Sequence, residues 1–95
     1  MSEEIALFFI ENYPVKGLVT LALSLVNLTK QEETVLNLSC KQNMTQEDIA
    51  DELGISRNTV NTRYRKAVKK ICIAWEGSHW IEILVEDLKK KMKIQ

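Results

Sequence analysis

Apolar residues recur three and four positions apart in six blocks along this chain, with polar or glycine-containing breaks between them. That period belongs to amphipathic helices and not to strands. Residues 3–12 place Ile5, Phe8 and Phe9, with Tyr13, on one side of a first helix that Pro14 ends. Residues 15–27 put Val15, Leu18, Val19, Ala22, Leu25 and Val26 on the inward side of a second. A third starts at Thr29, where Glu32 three residues on completes a capping box, and turns Val35, Leu36 and Leu38 or Ser39 inward. Thr45 and Asp48 repeat that start signal for a short helix with Ile49, Ala50 and Leu53 inside, closed by Gly54. Ser56 caps a long helix reaching about residue 76, lined by Val60, Tyr64, Ala67, Val68, Ile71 and Trp75. After the Gly77–Ser78 break, residues 79–92 turn Trp80, Ile81, Ile83, Leu84, Leu88 and Met92 inward. The expected fold is all-α.

The blocks around Gly54 have the spacing of a helix-turn-helix. Ala50 is small where the second helix must cross closely, and Gly54 allows a backbone conformation that a β-carbon disfavours. Ile55 and Val60 plug the angle between the two helices. On a 100° wheel, Val60, Tyr64, Ala67, Val68 and Ile71 cluster on one side of the helix that Ser56 opens. Asn58, Thr62, Arg65, Lys66 and Lys69 lie opposite, with Arg57 and Asn61 on one flank and Arg63 on the other. Arginine pairs bidentately with guanine and asparagine with adenine, whereas lysines further along suit phosphates.

Charge sharpens this picture. The formal net charge is zero, yet residues 1–55 hold three lysines and nine acids, a net −6. Residues 56–95 hold ten basic residues and four acids, a net +6. Residues 55–71 contain six lysines and arginines and no acid. Such asymmetry points to an anionic partner for the second half.

Little else in the sequence carries chemistry. Cys40 and Cys72 are far apart and read as small core residues in a reducing compartment, hence a cytoplasmic protein. The apolar run near the start is interrupted at Glu11, Asn12, Pro14 and Lys16 and falls short of a membrane span. His79 stands alone, no phosphate loop or catalytic constellation is visible, and neither a cofactor nor an enzymatic activity is expected. Trp75 and Trp80 suit core or dimer contacts better than base stacking. The lysines of "KKKMK", residues 89–93, complement the last helix dipole.

The segment "LTKQEETVLNLSCKQNMTQEDIADELGISRNTVNTRYRKAVKKI", residues 28–71, resembles the fourth region of bacterial sigma factors, which reads the −35 promoter element. Ile49–Ala50, Leu53–Gly54–Ile55–Ser56, Thr59–Val60, Arg63, Ala67 and Lys69–Lys70–Ile71 carry the likeness. A more distant similarity connects "LT…E..VL" and "IS..TV" with LuxR-type helix-turn-helix domains. The resemblance implies a three-helix core that binds double-stranded DNA; RNA polymerase is a candidate partner only in a rival reading, as a protein-interaction module that binds the polymerase or another regulator. It implies base reading by Arg57, Asn58 and Thr62, joined on the groove-facing side by Asn61 and Arg65. Phosphate contacts are expected from Thr45, Gln46, Thr59, Arg63, Lys66 and Lys69. Nothing in the chain resembles the promoter-melting second region, and the flanking helices lie outside the likeness.

These readings divide the chain into an N-terminal helical extension (1–27), a DNA-binding domain (28–76) and a C-terminal amphipathic helix (77–95). The flanking helices carry more apolar surface than a small three-helix core easily hides. We therefore expect a homodimer built from Phe8, Phe9, Leu18, Leu25, Trp80, Leu84 and Leu88, matching a two-fold DNA site. The overall expectation is a bacterial or phage transcriptional regulator. Two rivals are a protein-interaction module that keeps the sigma-like shape, and an accessory subunit of a phage DNA-processing complex.

Overall fold

A computed structural model describes residues 1–92. Its helices are α1 (Glu3–Asn12), α2 (Lys16–Ser24), α3 (Lys30–Cys40), α4 (Gln46–Leu53), α5 (Arg57–Trp75) and α6 (His79–Met92), and no strand occurs among the described residues. Lys93, the last lysine of the basic tail, lies outside them. No helix is long and apolar enough to cross a membrane.

Local chemistry explains most boundaries. Thr29 Oγ1 accepts from the Glu32 amide at 3.1 Å, and Glu32 Oε1 accepts from the Thr29 amide at 2.9 Å. Thr45 and Asp48 form the same reciprocal box at the start of α4. Two orphan amides are satisfied each time. Helix α4 stops at Gly54, whose φ of +66° lies in the left-handed region, and the amides of Gly54 and Ile55 both donate to Ala50 O. Asn43, with φ +53°, makes the corresponding reversal between α3 and α4. Lys16 turns back to donate to the carbonyls of Ile10 and Glu11, closing the C-terminal end of α1 across the Pro14 break.

Two apolar clusters hold the helices together. In the smaller, Val35, Ile49, Ala50 and Val60 pack with Leu38, Met44, Leu53 and Ile55, which closes the α3–α4–α5 angle. The larger gathers α1, α2 and α6 around the second half of α5, with Phe9, Val68, Ile71, Trp75 and Ile81 at its centre. Trp75 is fully buried, donates from Nε1 to Ala22 O at 2.9 Å and meets Phe9 edge-on, the ring centroids 5.6 Å apart. That contact pins the short α2 against the end of α5. Tyr64 packs against both clusters, so α5 is common to them.

The apolar surplus is therefore largely hidden within one chain. Phe9 and Leu88, expected to meet a second copy, are buried in the chain's own core at 0% and 4% exposure. Phe8, Leu18, Trp80 and Leu84 are half-buried against the same cluster. Leu25, expected both inward and at the dimer surface, is half exposed, and Val15, Ile83 and Met92, expected inward, are exposed as well. Helix α2 ends three residues earlier than periodicity predicts. The Ser24 hydroxyl donates to Leu21 O at 2.6 Å, and a turn through Leu25 redirects the chain, which carries Leu25 away from the buried line of Val19, Ala22 and Val26.

Candidate nucleic-acid interface

The interface is built on α4, the turn at Gly54–Ile55 and the first half of α5. Ala50 and Val60 are buried where the two helices cross, and Ile55 is half-buried in the turn between them. Ser56 then starts α5: its Oγ accepts the Thr59 amide at 3.1 Å and lies 2.8 Å from Thr59 Oγ1. Once α5 is pinned by Val60 on one side, its opposite side must face solvent. The 19 residues of α5 include no acid.

Along that outer side Asn58, Thr62, Arg65, Lys66 and Lys69 are exposed, and Arg57 is exposed at the first position of α5, on the side turned toward α4. Asn58, Thr62, Arg65 and Lys69 follow one another at helical spacing and form a single row, with Lys66 beside it. Thr59, Asn61 and Arg63 are half-buried on its flanks. Arg63 and Lys66 reach an open groove shared with Thr29 and Gln31 at the start of α3, and Asn58 and Thr62 line the same groove. Thr45 is exposed at the N-terminal end of α4, where free backbone amides and the helix dipole favour an anion.

Three contacts were not legible in the chain's periodicity. Gln46 Nε2 donates to Asn61 Oδ1 at 3.2 Å, bracing α4 against α5. With its carbonyl engaged, Asn61 cannot make the donor–acceptor pair that reads adenine without releasing Gln46. Arg57 Nη1 donates to Glu47 Oε1 at 3.2 Å, with both side chains well exposed. Lys70, one of the six cations in the lopsided stretch, turns inward and donates to Glu32 Oε1 at 2.6 Å. The Lys70 hydrogen bond holds the Glu32 carboxyl below its usual range, against the opposing effect of burial. Lys70 therefore anchors α5 to the start of α3 and is withdrawn from the outer row.

The remaining candidate chemistry is quiet. Burial pushes the Cys40 thiol up to about 11 and the Cys72 thiol up as well, so both stay protonated near neutrality; both are free. Among the described residues no cluster of histidine, cysteine, aspartate and glutamate could hold a metal ion. What the surface offers is a convex cationic ridge with short polar side chains at its leading end, dimensioned by one helix that a major groove admits.

The family model for sigma-70, region 4, matches residues 24–71, about half of the chain and the whole of α3, α4 and the first three-quarters of α5. No curated protein and no solved structure matches the chain significantly. The matched segment coincides with the capped helices, the left-handed Gly54 turn and the cationic face just described. The chain belongs to the sigma-70 region 4 family, a DNA-binding helix-turn-helix family without enzymatic activity.

Proposed function

We propose that this protein is a sequence-specific transcriptional regulator that lays the N-terminal half of α5 in the major groove of duplex DNA. The observation that carries this reading is the exposed row on an acid-free helix, Asn58, Thr62, Arg65 and Lys69, flanked by Lys66, with Arg57 exposed at the helix start. Arg57, Asn58, Thr62 and Arg65 read bases. Arg63, Lys66 and Lys69 meet phosphates, assisted by Thr45 and Gln46 at the start of α4. Thr59, half-buried and tied to Ser56, contributes through the cap more than through DNA.

The working unit is a homodimer. Leu21 on α2 and Leu25 in the turn that ends it supply its surface, because both are half exposed, whereas Phe9 and Leu88 are occupied within the chain. Two copies on a two-fold axis match two half-sites and double the number of phosphates held.

A salt titration of duplex binding tests the DNA reading. Lys70 is committed to Glu32, and Arg57 and Arg65 are assigned to bases, so Arg63, Lys66 and Lys69 are the cations of α5 that meet phosphates in each copy. The slope of log affinity against log salt should be roughly −2.7 per copy. A slope near zero, or no binding at low salt, would favour a sigma-like module that binds RNA polymerase or another regulator.

A further inference from the structure

We infer that Glu47 is a positioning residue for base recognition, acting through Arg57; the inference rests on the DNA-reading function proposed for α5. A guanidinium has two hydrogen-bonding edges. Glu47 accepts from Nη1 alone, and the edge formed by Nε and Nη2 has no partner among the described residues. A guanine presents O6 and N7 to such an edge as a bidentate pair. The carboxylate on α4 thus holds one corner of Arg57 and leaves the edge formed by Nε and Nη2 free for a base.

Two effects on recognition follow. A long side chain at the exposed start of α5 has many rotamers, and a fixed corner removes part of the ordering cost when the base is met. The negative charge also competes with phosphates for the same guanidinium, which weakens binding wherever the correct base is absent. Both widen the gap between the right sequence and the wrong one, even though an exposed ion pair adds little to the stability of the free protein. Gln46 braces Asn61 one turn further along α5, so α4 holds two side chains on the leading end of the reading helix. An acid on the DNA-facing side of this motif, unfavourable for affinity alone, has a use in discrimination.

The test is a double-mutant cycle on the duplex that the wild-type protein selects from a random pool, and on the same duplex changed at each base pair in turn. Glu47→Gln should lower the ratio of selected to changed affinity about 1.5- to 5-fold at the base pair that Arg57 reads, with the melting temperature unchanged. Asp51, exposed one helical turn along α4, supplies the control: Asp51→Asn removes the same charge and should strengthen all duplexes alike, leaving the ratio as it was. In an Arg57→Ala background Glu47→Gln should no longer alter the ratio. The inference is overturned if Glu47→Gln keeps the wild-type ratio, if Asp51→Asn lowers it equally, or if the effect persists without Arg57. Should the wild-type protein select no duplex and show no salt dependence, the DNA-reading function itself fails, and this inference with it.

Discussion

Replacing Glu32 by glutamine isolates the tie between α3 and α5. Its Oε1 accepts two hydrogen bonds, from the Thr29 amide at 2.9 Å and from Lys70 Nζ at 2.6 Å. Glutamine can serve the first, since it is a regular third residue of a capping box, but it cannot form the ion pair. A hydrogen bond between charged groups in a protected setting contributes about 1.5–3 kcal/mol. The Lys70 side chain is 42% exposed while that of Glu32 is 6% exposed, so the value should lie near or below the bottom of that range, about 1–1.5 kcal/mol. Glu32→Ala also removes the cap, adding about 1 kcal/mol. For a domain of this size these losses lower the melting temperature by about 5–10 °C and 10–20 °C. The carboxyl is depressed in the folded state, so its contribution is complete above the ordinary value of 4.5 and is lost as pH falls through the lower folded value. Thermal and urea unfolding at pH 7, 5 and 3.5 should therefore show the wild type and Glu32→Gln converging in acid. Equal melting at pH 7, or a gap that stays constant down to pH 3.5, would refute the reasoning.

Other substitutions should separate reading, positioning, backbone and assembly. Arg57→Ala should cost about 1–3 kcal/mol on the selected duplex and relax preference at one base pair, whereas Lys69→Ala should weaken all sequences alike and make the salt slope shallower by about one unit; competition binding distinguishes them. At Gly54 an added β-carbon meets nothing within 4 Å, so Gly54→Ala should cost about 1–2 kcal/mol from the left-handed backbone alone, measured by urea unfolding. Leu25→Glu should give a monomer in sedimentation at micromolar concentration while helix content by circular dichroism holds, because its side chain is half exposed. Cys40 should resist iodoacetamide in the native protein at pH 8 and react on addition of urea, given its protonated, half-buried thiol.

The local signals in the chain were readable because they act over three or four residues. The Thr29–Glu32 and Thr45–Asp48 boxes, the Ser56 cap and the Gly54 reversal all follow from backbone amides that must find partners near in sequence. The outer row of α5 was readable for the same reason, since Val60, Ala67 and Val68 set the helix phase. Periodicity reports which side of a helix is apolar, but not what covers it. Phe9 and Leu88 suited a second copy as well as they suited Trp75 and its neighbours, and only the assembled fold decides for the chain's own core. Likewise, Lys70 looked like one more cation until folding brought it to Glu32, 38 residues away. Glu47 and Arg57, ten residues apart across a turn, were beyond any helical spacing rule.

The passage of α5 through both apolar clusters has a mechanical consequence. Trp75 sits roughly 27 Å along the axis from Arg57, on one uninterrupted rod. The far end is clamped by α1, α2 and α6, and the near end carries the tool. Because α3 and α4 grip the near half through Val60 and the Lys70–Glu32 tie, a ligand or neighbouring copy that shifted α1, α2 and α6 would carry the cationic row and its supporting helices along as one body.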